Sequence, residues 1–126
     1  MRPYTSTPGE EHDLQQRFLT GKSEHTLMLF EHFVNEYKRI GDNVTLHPAK
    51  TMIRVANAHK KAAYITQLGK NFIHVVFPFE QPYEDNLCFQ KIAKVPGDQQ
   101  FNHHFRMLQK EDLNDEVLEF MRLSLL

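Results

Sequence analysis

Arg54, Tyr64, His74, His104 and Arg106 recur at alternate positions of β-prone runs, and together they carry the side-chain chemistry of an anion site. Guanidinium groups offer a planar donor fork to carboxylate or phosphate, and imidazoles are hydrogen-bond partners whose charge responds to pH. Because successive strand side chains alternate sides, these five share one sheet face with Met52, Thr66, Phe72, Val76 and Asn102. Anionic ligands of several kinds suit such a face: a nucleotide, single-stranded nucleic acid or an acidic peptide, with bases stacking on Tyr64 or Phe72. The competing reading is ordinary solvent-facing strand residues, and a register slip of one would scatter the set.

Other motifs carry less. Gly21-Lys22-Ser23 resembles the end of a phosphate loop, but Gln16 stands where the first glycine belongs and a helix, not a strand, precedes it. His103 and His104 are adjacent, so in a strand they point to opposite faces and cannot clasp one ion together. His103 instead shares a face with Phe101, Phe105 and Met107, which makes it a buried or rim histidine. Cys88 has no neighbouring base and reads as a buried, inert thiol. Glu80, Glu84 and Asp85 around Pro82-Tyr83 read as a solvated acidic loop. No catalytic triad and no metal set assembles, and no cofactor is implied.

The elements that must position the five residues follow from local patterning. Residues 1–11 are turn-rich and polar and read as a flexible N-terminal arm, with one domain over residues 12–126. A short helix near His12 ends at Gly21, and Ser23 caps a second through Arg39 whose Leu27, Phe30, Val34 and Tyr37 recur at helical spacing, widened by Leu29 and Phe33. Strands are predicted at Val44 to Leu46, Thr51 to Ala56, Ala62 to Gln67, Phe72 to Phe79 and Phe101 to Leu108, while Leu87 to Val95 fits a strand or a helical turn. Asp112 is the predicted cap of a last helix with Leu113, Val117, Phe120 and Met121 on its apolar face. Helices, sheet, helix implies α+β: an antiparallel sheet with N-terminal and C-terminal helices packed on one face. Ile53, Val55, Ala63, Ile65, Ile73, Val75, Phe77 and Phe79 then face the helices, and the five site residues face away.

Composition bounds the partners. The chain has 126 residues, 40% apolar and 25% charged, enough for one core. A formal net charge of -1 removes any whole-molecule drive toward nucleic acid or anionic membrane, so anion binding must be local. The single cysteine excludes an internal disulfide and points to a reducing compartment. No run approaches the roughly 20 apolar residues of a membrane span, and no signal-peptide pattern opens the chain, so a cytoplasmic location is expected. Met52, Phe72 and Val76 interrupt the polar face as an apolar patch, which a homodimer would cover.

The Phe18-Leu19-Thr20-Gly21-Lys22-Ser23 stretch, the amphipathic helix after it, Leu46-His47-Pro48-Ala49-Lys50-Thr51-Met52-Ile53 and Leu108-Gln109-Lys110-Glu111-Asp112-Leu113 resemble a family of uncharacterised bacterial domains often labelled predicted transport proteins. The resemblance spans roughly residues 12 to 124 and implies the fold. In that family a basic residue and Ser or Thr are followed by an aromatic; Lys50 and Thr51 match, and Met52 departs. The cysteine-rich zinc-binding stretch of some relatives has no counterpart here, and the resemblance implies no catalytic residues. A non-enzymatic binding or interaction module for an anionic ligand is the leading reading. The alternative is a small hydrolase-like or metal-assisted enzyme using His74 and His104.

Overall fold

The computed structural model describes residues 8–126, in the order α1 (Pro8–Leu19), α2 (Glu24–Ile40), β1 (Thr45–Pro48), β2 (Ile53–Ala56), β3 (Lys61–Gly69), β4 (Phe72–Phe79), β5 (Lys91–Lys94), β6 (Phe101–Met107) and α3 (Asp115–Ser124). Of the expected N-terminal arm, residues 1–7 lie outside the described residues. Helix α1 begins at Pro8, where a fixed φ suits a first helical turn and the missing N–H costs no helical bond.

Local signals account for the helix ends. The Ser23 hydroxyl accepts the Thr26 N–H at 3.1 Å, and Gly21 between α1 and α2 has φ of +77°, a conformation glycine adopts without steric penalty. The buried stripe of α2 runs through Thr26, Leu29, Phe30, Phe33, Val34 and Tyr37. Leu27, expected on that stripe, is only half-buried and faces a groove shared with Gln15 and Leu19 of α1. At the other end of the chain the predicted cap is displaced. Asn114 caps α3, its side-chain oxygen accepting from Val117 N–H at 3.0 Å. Asp112 closes a preceding 3-10 turn, its carboxylate accepting the N–H groups of Leu108 at 2.7 Å and Gln109 at 3.1 Å. Two capping residues in sequence served two successive turns, and the first consumed Asp112.

The six strands form one antiparallel sheet in the order β1-β2-β3-β4-β6-β5. Residues 87–95, ambiguous between strand and helical turn, supply β5 as the edge beyond β6. The segment predicted as a strand from Thr51 enters β2 only at Ile53, because Ala49 to Met52 make the β1–β2 turn, closed by Ala49 N–H to Met52 C=O at 2.8 Å. Helices α2 and α3 lie on the same sheet face. Phe30, Val34, Ile53, Ile65, Val75, Val117 and Phe120 are all buried there, in the cluster that side-chain alternation predicts. Two polar ties reinforce this packing. Tyr37 Oη and Ser124 Oγ are 2.7 Å apart between α2 and α3, and buried Thr26 donates to Gly69 C=O at 2.7 Å while accepting from Asn71 N–H at 2.9 Å, pinning α2 to the β3–β4 turn.

Under the far end of the sheet, the loop between β4 and β5 folds back as an aromatic lid. Phe79, Tyr83 and Phe89 surround the His103 ring at centroid distances of 5.1, 5.6 and 4.9 Å, and Phe120 of α3 packs on Tyr83 and Phe89. His103 is fully buried, as its shared parity with Phe105 and Met107 predicts. Tyr83 N–H can only donate, so His103 Nε2 accepts it at 3.0 Å, and the ring proton sits on Nδ1, 2.9 Å from Phe101 C=O. Burial holds this imidazole below its usual range, although backbone hydrogen bonding to Phe101 and Phe77 opposes the shift.

Candidate anion site on the open sheet face

None of the chain's 16 acidic residues lies in a strand, whereas Arg54, Lys61, Lys91, Lys94 and Arg106 do. Alternation sends the apolar half of each strand to the helices, so the polar half collects on the opposite face. Antiparallel register then aligns it. His47 stands opposite Arg54, Arg54 opposite Tyr64, Tyr64 opposite Val76, Val76 opposite His104 and His104 opposite Lys91, a continuous row across all six strands. The adjacent row holds Gln67, His74 and Arg106. A bulge between Ile65 and Gln67 sets that register, placing two residues, Thr66 and Gln67, against one on β4.

The sequence-predicted residues therefore share one face, and two of them touch. His74 Nε2 and His104 Nδ1 are 2.9 Å apart, a hydrogen bond between diagonal neighbours on β4 and β6. Both imidazoles are held below their usual range: His74 by burial and then by His104 and Arg106, His104 by burial and then by Lys91 and His103. Both shifts favour the uncharged form of the pair. Arg106 is exposed and lies 4.5 Å from the centre of the Phe72 ring, a cation–π contact. Arg54 is half-buried, and its Nε–H is shielded from solvent with no acceptor. Among the described residues the ion pairs are Arg39 with Glu36 and Arg122 with Glu119, so Arg54, Lys91 and Arg106 carry uncompensated charge.

Comparisons with protein-family models, with curated proteins and with solved structures gave no match to this chain. The face must be interpreted from its own chemistry.

Lys91 and His47 were not singled out from the sequence. The signal for Lys91 was present in its basic charge, but the face of β5 depends on pairing with β6, a contact no local pattern announces. The apolar patch expected from Met52, Phe72 and Val76 is broken up by the fold: Val76 is buried and the other two are half-buried. Among the described residues the large exposed hydrophobic side chains are Leu87, Leu108 and Leu126, none of them in the sheet.

Phe72 owes its position to Gly69, directly opposite on β3. A Cβ added at Gly69 would run into the Phe72 ring. Replacing Gly69 with alanine is expected to swing that ring off Arg106, forfeiting roughly 0.5–1 kcal/mol of cation–π attraction. Loss of ring-current shifts on the Arg106 side-chain protons is the readout.

Metal and nucleophile chemistry gain little support from the geometry. Among the described residues no group of three or more His, Cys, Asp or Glu is placed to hold an ion. Cys88 is pushed up to about 12 by burial and by the Glu116 carboxylate, which keeps the thiol protonated. No helix of the described residues is long and apolar enough to cross a membrane.

A cleft of about 690 Å³ adjoins the row at Tyr64. It opens because the β3–β4 register stops at Tyr64–Val76, although β3 starts at Lys61 and β4 runs to Phe79. Pro78 has no N–H to give a ladder, so the sheet forks there, and Lys61, Tyr64, Glu80, Gln100 and Leu123 line the gap. Proline inside the Phe72 to Phe79 run was the sequence signal for this fork.

Proposed function

We propose that the chain is a binding module whose open sheet face takes an anionic ligand through Arg54, Tyr64, His74, His104 and Arg106, with Lys91 at its edge. The observation that carries this reading is charge segregation: a chain with more acidic than basic residues keeps every carboxylate out of its sheet. Surface cations in a globular domain ordinarily meet carboxylates of opposite sign nearby, and a face without them attracts anions at modest distance. Tyr64 within the row and Phe72 beneath Arg106 supply apolar contact for a base or another planar group. The family resemblance is part of the same proposal and adds no ligand to it.

The test is a titration of the protein and of an Arg54→Ala, Arg106→Ala double variant with short single-stranded DNA, RNA, nucleotides and an acidic peptide at two salt concentrations. Each desolvated charge-assisted contact is expected to be worth on the order of 1.5–3 kcal/mol, so the double variant, which loses two, binds at least about a hundredfold more weakly, and salt weakens the wild type more than the variant. Equal binding by both proteins, or binding by neither, overturns the proposal. Light scattering on the same samples reads whether a homodimer forms with or without ligand.

A further inference from the structure

The contact between His74 and His104 limits how many protons the pair can hold. At 2.9 Å one facing nitrogen must donate and the other accept. When both rings are neutral, the donor ring still has a bare nitrogen on its outer side. One added proton settles there, converting the donor to imidazolium and strengthening the shared bond through charge. A second added proton would have to occupy the accepting nitrogen itself, setting two N–H groups against each other and breaking the contact.

The surroundings decide whether even the first proton is taken up. Across β4 and β6, Arg106 stands opposite His74, and Lys91 of β5 stands opposite His104. Arg54 and Tyr64 occupy the same row as His104, with His47 beyond them on β1, while His103, next along β6, turns to the core. Each of these neighbours is cationic, neutral or a titrating base, and no strand carboxylate offsets them. Helices α2 and α3 pack on the other face. The unliganded face therefore opposes protonation, and a bound oxyanion would reverse the sign of the local field.

We infer that the His74–His104 pair is a one-proton unit that makes this face a proton-coupled oxyanion site, in which the anion and a single proton bind together. The inference rests on the anion-binding reading above and specifies its ligand chemistry: an oxygen acid whose oxygens accept from the outward imidazolium N–H and from the Arg106 guanidinium. Free sulfate-like anions and phosphodiester chains share that chemistry.

Calorimetric titration near neutral pH in two buffers of different ionisation heat reads the coupling directly. Sodium sulfate and single-stranded oligothymidylate serve as probes, because neither changes charge across the imidazole range. About one proton is expected to be taken up per anion bound, with the Kd tightening by as much as about tenfold for each unit of falling pH through the coupled range. A response to sulfate alone identifies a free anion as the ligand, and a response to the oligonucleotide alone identifies a nucleic-acid phosphate. The His74→Asn, His104→Asn double variant, checked for an intact thermal transition, is expected to bind with no proton uptake and no such pH dependence. In the unliganded protein, NMR titration of the imidazole carbons should show the two rings sharing one protonation event. Uptake near two protons, rings that titrate independently, or binding without uptake overturns the one-proton unit. Absence of binding by both probes overturns proton-coupled anion binding together with the reading beneath it, and in that case the NMR titration alone reports whether the pair still shares its proton.

Discussion

Replacing Phe33 with alanine is expected to lower the unfolding free energy by about 3–5 kcal/mol, the range for deleting a large aromatic side chain from a close-packed core. Phe33 has no solvent exposure, lies at the centre of the α2 stripe, and meets the Tyr37 ring edge-on at 5.2 Å. Its removal leaves a void that Leu29, Tyr37 and the sheet residues beneath cannot fill without leaving their rotamers. Since domains of this kind are stable by roughly 5–15 kcal/mol, the variant should unfold at a much lower urea midpoint with little change in slope. Leu87→Ala is the control: that side chain is 98% exposed and its loss should shift stability by no more than about 0.5 kcal/mol. A Phe33→Ala protein as stable as Leu87→Ala would mean that α2 does not bury this face.

The second large effect is acid sensitivity centred on His103. Burial depresses the proton affinity of His103, His74 and His104 in the folded chain relative to the unfolded one. Below the ordinary imidazole value, roughly 6.5, the unfolded chain binds protons that the folded chain refuses, so stability falls as pH falls and is fully present above that value. His103 should dominate, because protonating Nε2 would set an N–H against the Tyr83 N–H inside an aromatic cage. His103→Asn is expected to cost about 1–3 kcal/mol at pH 8 through lost packing and imperfect hydrogen bonding, yet to flatten the slope of stability between about pH 6.5 and 5. Urea unfolding at those pH values separates the two effects. An unchanged slope would assign the acid sensitivity to the exposed-face pair instead.

These two histidine environments come from adjacent residues. His103 and His104 differ only in strand parity, and that difference sends one into a cage where its tautomer is locked and the other onto a face where it can exchange a proton. The open face is thus separated from the helix-covered core by the thickness of a single sheet. At the fork by Pro78 the two sides approach each other, since Tyr64 borders the cleft from the face and Leu123 from α3.

Much of this architecture was legible because it is local. The Ser23 cap, the glycine at φ of +77°, the β4 limits at Phe72 and Phe79, and the inward parity of Ile53, Ile65 and Val75 depend on side chains and backbone within a few residues of one another. Hydrophobic period and capping chemistry report such features directly. The same alternation brought Arg54, Tyr64, His74, His104 and Arg106 to one face. Tertiary structure decided the rest. Placing β5 beyond β6, not beside β4, brings Lys91 to His104, and the bulge at Thr66 and Gln67 sets Gln67 opposite His74, which the β4–β6 pairing sets opposite Arg106. Asn114 took the cap of α3 because Asp112 was already engaged by Leu108 and Gln109. The 2.9 Å contact between His74 and His104 joins residues 30 positions apart. Strand order and register arise from many weak pairings and packing contacts satisfied together across the whole chain, whereas caps and periodicity are settled within a turn or two, which is why one was written in the sequence and the other only in the fold.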